Sequence, residues 1–146
     1  MRVRHVRART ACLLIAGFAA VCLNAAQPVT GRHGMVVAEE PLAADVGLKI
    51  LKDGGNAVDA AIAVGFALAV THPSAGNLGG GGFLLVHLAS GQHFFLDFRE
   101  AAPLKASRDM YLGPNGKPTQ DSLVGWRSSG VPGSVSGFAT AHQKWG

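Results

Sequence analysis

The sequence contains little cysteine, few aromatic residues and little charge. Of its 146 residues, two are cysteines, 7% are aromatic and 15% are charged. Both cysteines, Cys12 and Cys22, lie within the first 26 residues, so the rest of the chain has no thiol for a disulfide or a metal ion. No apolar run approaches the roughly 20 residues that a membrane-spanning helix needs. The histidines lack the spacing of a metal-binding motif, and the sequence therefore predicts no metal site.

The excess positive charge lies at the N-terminus. Four arginines, at positions 2, 4, 7 and 9, precede a thirteen-residue apolar run, 11–23, and small residues follow it up to Ala26. This pattern is typical of a secretory signal peptide, predicted here as residues 1–26, and it is too short for a stable membrane anchor. Without those four arginines the 13 basic residues fall to nine, which match the nine acidic residues. A formally neutral exported chain predicts no binding to nucleic acid.

The remaining chain has the pattern of an α+β protein. Residues 27–33 are a predicted linker, and residues 34–146 contain the predicted helices and strands. A short buried strand is predicted at 34–38. A helix follows from Pro41, which suits a first helical turn, and two consecutive glycines stop it. Asn56 can cap a second helix, which is apolar on almost every side and is therefore predicted to lie in an interior.

A glycine-rich loop, 74–82, leads into a predicted hairpin with strands 83–88 and 93–99. Four consecutive glycines could let backbone amides approach a phosphate or an oxyanion. However, a phosphate loop lies between a strand and a helix and is followed by lysine, whereas this loop precedes a strand, so a structural turn is favoured. A final helix is predicted to pack through one face formed by Val135, Phe138, Ala139 and His142.

The densest charged cluster beside apolar surface is formed by Asp97, Arg99 and Glu100. An arginine at a strand end can hold a carboxylate through two parallel hydrogen bonds, a geometry that lysine cannot reproduce. The alternative is an ordinary surface ion pair, which is common and contributes little energy. No pairing of a nucleophile with a base is recognisable elsewhere in the sequence.

Several segments, in order and spacing, resemble the large subunit of the γ-glutamyltranspeptidases, also called glutathione hydrolases. The first two are the segments GGNAVDAA at 54–61 and AVTHP at 69–73. They are followed by GNLGGGGF at 76–83 and DFREAAP at 97–103. A further match is VPGSV at 131–135, with Gly and Phe at 137 and 138. The resemblance extends over residues 34–146.

The resemblance implies an N-terminal-nucleophile hydrolase fold, with four αββα layers in the complete enzyme. In this family, the N-terminal threonine of a small subunit, released from the same precursor, attacks the γ-glutamyl amide of glutathione and related compounds. Water, an amino acid or a dipeptide then accepts the γ-glutamyl group, and no cofactor takes part. The resemblance assigns Arg99 to the substrate α-carboxylate, with Glu100 as the next candidate and Asp97 as a weaker one. It also implies a periplasmic or secreted protein.

The threonine motif of that family has no counterpart in this sequence. We therefore expect an incomplete large subunit that is inactive alone and, because its partner layers are missing, poorly soluble. An alternative is a non-catalytic secreted protein that binds a carboxylate ligand or a separately encoded subunit. A third hypothesis sets the resemblance aside and treats the glycine loop as an anion-binding module.

Overall fold

The computed structural model describes residues 28–146, and the predicted signal peptide, 1–26, lies outside the described residues. The chain divides into two units, Met1–His33 and Gly34–Gly146. The described part of the first, 28–33, contains no helix or strand. The helices and strands of the described residues lie in the second: helices α1 (Pro41–Lys52), α2 (Ala57–Thr71) and α3 (Ser134–Trp145), and strands β1 (Phe83–His87) and β2 (His93–Asp97). This content confirms an α+β protein.

Helices α1 and α2 pack side by side because small residues face each other. Pro41 occupies the first turn of α1, and Gly54, at φ +99°, ends the segment in a backbone conformation that other residues rarely adopt. On α1 the buried residues are Ala43 and Gly47. A Cβ atom at Gly47 would lie 2.6 Å from Cγ2 of Val64 on α2, so glycine permits this close approach.

Asn56 caps α2 and also joins it to α3. Its Oδ1 accepts hydrogen bonds from the backbone N–H groups of Val58, at 2.7 Å, and Asp59, at 3.1 Å. The Asp59 carboxylate in turn accepts from the Asn56 N–H at 3.0 Å, completing a capping box. The Asn56 side-chain amide donates to the Trp145 carbonyl oxygen at 2.7 Å. The predicted cap is confirmed, and it has a second role in tertiary structure.

Strands β1 and β2 form an antiparallel hairpin, in which Leu85 pairs with Phe95. Gly91, at φ +85°, makes the connecting turn. One face of the hairpin packs on the helices, where buried Val86 joins Val58 and Ala141 in the core. The partly buried residues packed around this cluster are Ile62, Leu84, Leu88, Phe94, Leu96 and Trp145. The opposite face is exposed, as the two-residue alternation predicts.

The buried face of α3 differs from the prediction. The buried residues are Ser134, Gly137 and Ala141, whereas the predicted face residues Val135 and His142 are exposed. Phe138 of the predicted face does pack, with its ring centroid 5.1 Å from that of Phe66, and Ala139 is exposed. The prediction was wrong for Val135, Ala139 and His142 because it chose the most apolar side of the helix. The buried residues are the small ones, which allow the helix backbone to approach its neighbours closely.

The strand predicted at 34–38 is also wrong. This segment carries neither a strand nor a helix, and only Val36 and Ala38 within it are partly buried. Among the described residues the one sheet contains β1 and β2 alone, so nothing pairs with the segment. An apolar sequence is compatible with a strand, but a strand also requires a neighbouring edge for its hydrogen bonds.

The connection between β2 and α3 is long and contains two short 3-10 helices, Gln120–Ser122 and Trp126–Ser128. The Arg127 guanidinium crosses it, donating to the Asp121 carboxylate at 2.7 Å and to the Met110 carbonyl. The Tyr111 hydroxyl donates to the Arg127 carbonyl at 2.8 Å. Among residues 28–146 no helix is both long enough and apolar enough to cross a membrane.

Candidate functional site

The three candidate residues Asp97, Arg99 and Glu100 lie where β2 ends. Asp97 is the last residue of the strand, and all three are exposed. The Asp97 Oδ1 accepts a hydrogen bond from the backbone N–H of Arg99 at 3.0 Å. This contact turns the chain immediately after the strand and fixes the direction in which Arg99 leaves it.

Backbone bridges hold the Arg99 segment on both sides. Before it, the Phe98 N–H donates to the Gly82 carbonyl at 3.0 Å, and the Gly82 N–H donates back at 3.4 Å. After it, Ala101 and Val131 exchange two hydrogen bonds, of 2.8 and 3.2 Å. Arg99 and Glu100 therefore extend from a backbone that is anchored at both ends.

The glycine-rich loop packs directly against this segment. A Cβ atom at Gly81 would lie 2.6 Å from both the Phe98 carbonyl oxygen and the Glu100 amide nitrogen. A Cβ atom at Gly80 would lie 3.4 Å from the Glu100 carboxylate. None of the glycines at 79–82 has a positive φ, so close approach, and not an unusual backbone angle, requires glycine here.

The start of α3 closes the other side of the segment. Cβ atoms at Gly133 and Gly137 would overlap the Phe98 carbonyl and the Phe98 ring, respectively. The ring also meets Phe138 edge to face, with centroids 5.7 Å apart. Phe98 is thus packed against helix backbone, and its position determines that of the next residue, Arg99.

The glycine loop and α3 are joined by hydrogen bonds as well. The Gly80 carbonyl accepts from the N–H groups of Gly133, at 2.8 Å, and Ser134, at 3.0 Å. The Ser134 hydroxyl donates to the Asn77 carbonyl at 3.2 Å. The loop therefore presents a carbonyl to the helix N-terminus, which favours the structural interpretation of the four glycines over an anion cradle.

Arg99 is positioned by Gly81, Gly133 and Gly137, a role that was not predicted from the sequence. They lie in segments that carry the family resemblance, but glycine has no side chain by which to assign a chemical role. Two features of the sequence could have indicated this packing. One is the four-residue spacing of Gly133 and Gly137, which places both on one side of a helix. The other is the run of four glycines that includes Gly81, which is longer than a turn requires.

The Arg99 guanidinium has no hydrogen-bond or ion-pair partner among residues 28–146, unlike Arg127, which pairs with Asp121. Asp97, Arg99 and Glu100 therefore do not form an ordinary surface ion pair at the strand end. An exposed planar guanidinium on a fixed backbone can bind a carboxylate through two parallel hydrogen bonds. Its chemistry suits an anionic group of a small ligand.

The described residues contain no activated nucleophile. Each side-chain hydroxyl that donates a hydrogen bond within 28–146 does so to a carbonyl or amide oxygen, as Thr71 does to the Ala67 carbonyl at 3.2 Å and Thr140 to the Ser136 carbonyl at 2.8 Å. No hydroxyl in this part of the chain is paired with a histidine or carboxylate that could accept its proton. The site can bind and orient a ligand, but these residues supply no attacking group.

Comparison with known proteins extends these observations. Residues 43–146 match the family model described as gamma-glutamyltranspeptidase. The glutathione hydrolase proenzyme of Escherichia coli is 55% identical over 120 residues, which are 82% of this chain and 21% of that protein.

Two solved structures are similar to this chain in fold and in sequence. γ-Glutamyltranspeptidase of Helicobacter pylori has a TM-score of 0.77 at 48% identity, over 82% of this chain and 34% of that one. The enzyme of Pseudomonas nitroreducens, solved in complex with L-DON, has a TM-score of 0.74 at 50% identity, over 80% and 35%. The chain thus spans about a fifth of the Escherichia coli relative and about a third of each solved chain. Its matched segments include the glycine loop, the Arg99 segment and α3, and the chain belongs to the γ-glutamyltranspeptidase family.

Proposed function

We propose that this chain forms part of the large subunit of a glutathione hydrolase, in which Arg99 binds the α-carboxylate of the γ-glutamyl donor. The observation that carries this proposal is the exposed guanidinium without a protein partner, placed on a backbone that glycine packing fixes from two sides. A donor carboxylate would supply the missing partner. Charge-assisted hydrogen bonds of this kind contribute about 1.5–3 kcal/mol.

The two neighbouring carboxylates have different roles in this proposal. Asp97 acts as a positioning residue, because its Oδ1 already accepts the Arg99 backbone N–H. Glu100 is exposed beside the glycine loop and is available to accept a hydrogen bond from the substrate or to orient the arginine. The donor α-amino group is a cation and suits such an acceptor.

The chemical step requires groups beyond residues 28–146. The N-terminal threonine of a small subunit, made from the same precursor, would attack the γ-glutamyl carbonyl while its own amine takes the hydroxyl proton. The amide C–N bond breaks, the leaving amine takes up the proton, and a γ-glutamyl ester remains on the threonine. Water, an amino acid or a dipeptide then attacks that ester. The hairpin and helices of this chain would form part of the four-layer αββα fold.

The proposed cellular location is the periplasm or the exterior, because residues 1–26 have the pattern of a secretory signal. A fusion of these residues to a phosphatase that is active only after export tests this point. We expect phosphatase activity and a cleaved N-terminus, whereas retention in the cytoplasm would contradict the assignment.

A chimeric proenzyme tests the function. In it, the matching 120-residue segment of this chain replaces that of the Escherichia coli proenzyme, which is 55% identical over this length. We expect the chimera to cleave itself into two subunits and to hydrolyse a γ-glutamyl anilide. Arg99→Lys should raise KM for the donor about 10- to 100-fold, because lysine cannot form the paired hydrogen bonds. Arg108→Lys, at another exposed arginine, is the matched control.

Two results would contradict the proposal. One is a chimera that folds and matures but leaves γ-glutamyl compounds intact. The other is an Arg99→Lys chimera with the same donor KM as the Arg108→Lys control.

A further inference from the structure

Two histidines face each other at the turn end of the hairpin. His87 and His93 are directly paired in the register of β1 and β2, so their side chains project from the same face. Their Nδ1 atoms are 3.1 Å apart, and their ring centroids are 4.4 Å apart. Both residues are exposed. They lie at the opposite end of the hairpin from Asp97, which pairs with Phe83, so they are separate from the Arg99 site.

The separation of these nitrogens fits shared coordination of one metal ion. Imidazole nitrogens lie about 2.0–2.1 Å from a bound transition metal, so two of them are about 2.9 Å apart at a right angle and about 3.3 Å apart at a tetrahedral angle. The observed 3.1 Å lies between these values. We propose that His87 and His93 form a two-imidazole chelate for a divalent transition-metal ion, with water completing the coordination.

The protonation states of the two rings decide how the site operates. The contact is a hydrogen bond when one Nδ1 carries a hydrogen and the other a lone pair. Chelation needs a lone pair on both Nδ1 atoms, so a ring that carries its hydrogen on Nδ1 must move it to Nε2. The hydrogen stays on the same ring, and the metal ion takes its place between the two Nδ1 atoms.

The ligand set indicates which ions bind. Among residues 28–146 no group of three or more histidine, cysteine or acidic side chains is placed to hold a metal. Water therefore fills the remaining coordination positions beside the two histidines. As is typical of imidazole ligands, the site should bind Cu²⁺ more tightly than Ni²⁺, and Ni²⁺ more tightly than Co²⁺. Mg²⁺, which prefers oxygen ligands, should not compete.

Metal titration of residues 27–146, which contain no cysteine, fused to a soluble carrier protein without free thiols, tests the proposal without requiring enzymatic activity. We expect one Cu²⁺ to bind above the level of the carrier alone, with an electron paramagnetic resonance spectrum showing two imidazole nitrogens. His87→Gln and His93→Gln should each weaken binding about 100-fold, because the second contact of a chelate forms at high effective concentration. His142→Gln, at an exposed histidine on α3, should leave binding unchanged.

Because both histidines are exposed, these substitutions remove little packing, and circular dichroism of each variant verifies the fold. The proposal is overturned if the double variant binds Cu²⁺ as tightly as the unchanged chain. It is also overturned if the spectrum of the unchanged chain lacks two equivalent imidazole nitrogens.

Discussion

Replacing Gly81 with alanine tests whether the glycine-rich loop exists to pack against the Arg99 segment. The new Cβ atom would lie 2.6 Å from the Phe98 carbonyl oxygen and the Glu100 amide nitrogen, and 2.8 Å from the Arg99 carbonyl carbon. All three are backbone atoms, so rotation of a side chain cannot relieve the overlap. Non-bonded heavy atoms prefer about 3.5 Å, and the loop and segment must therefore separate by about 1 Å.

The expected cost follows from two opposing effects. Overpacking of this kind costs about 1–3 kcal/mol. Alanine also restricts the unfolded chain, which stabilises the folded state by about 0.4–1 kcal/mol. We therefore expect Gly81→Ala to lower the free energy of unfolding by about 1–2 kcal/mol. Gly79→Ala is the matched control, because its nearest atom, Oδ1 of Asn77, is 3.8 Å from the new Cβ and only the stabilising effect applies.

The chimeric proenzyme is the system for this comparison, with thermal unfolding and donor KM as the two measurements. Gly81→Ala should lower the unfolding midpoint and raise KM, since it displaces Arg99. Gly79→Ala should neither lower the midpoint nor raise KM. Equal behaviour of the two variants would refute the packing argument. If Gly81→Ala lowers the stability but leaves KM unchanged, the loop stabilises the fold without positioning Arg99.

Three other predictions concern the cap and the isolated chain. Asn56→Ala should cost about 1–2 kcal/mol in the chimera, because it removes the α2 cap and the bond to the Trp145 carbonyl. Unfolding measurements check this, with Gln143→Ala as control, because this exposed amide side chain makes no hydrogen bond among residues 28–146. Residues 27–146 alone should release nothing from a γ-glutamyl anilide, and reproducible turnover above a blank would contradict this. The same chain should self-associate through the exposed hairpin face, where Phe83 and Phe95 stack at 5.8 Å, whereas a monomer with a sharp unfolding transition would argue against it.

The elements that follow from local chemistry were predictable from the sequence. Asn56 followed by Asp59 defines a helix start through contacts within one turn, and the structure contains the complete capping box. The hairpin turn at Gly91 and the alternation of β2 are equally local. In each case neighbouring residues supply most of the stabilising contacts, so a short window of sequence is sufficient.

The features that depend on distant contacts were not predictable in this way. The buried face of α3 is set by Phe98, whose ring lies against Gly137, and hydrophobicity along the helix does not reveal that contact. The segment 34–38 has strand-like residues, but no strand edge lies beside it among the described residues. The candidate site shows both cases, since the chemistry of Arg99 is visible in the sequence while the glycines that position it are not.

The most direct test of the central claim combines a change in the enzyme with a change in the substrate. The kcat/KM of the chimera and of its Arg99→Gln variant is measured with a γ-glutamyl anilide and with its analogue in which a carboxamide replaces the α-carboxylate. If Arg99 binds that carboxylate, the analogue should lower kcat/KM about 10- to 100-fold in the chimera and much less in the variant. The same loss in both enzymes would show that Arg99 and the carboxylate do not interact, and would contradict the account.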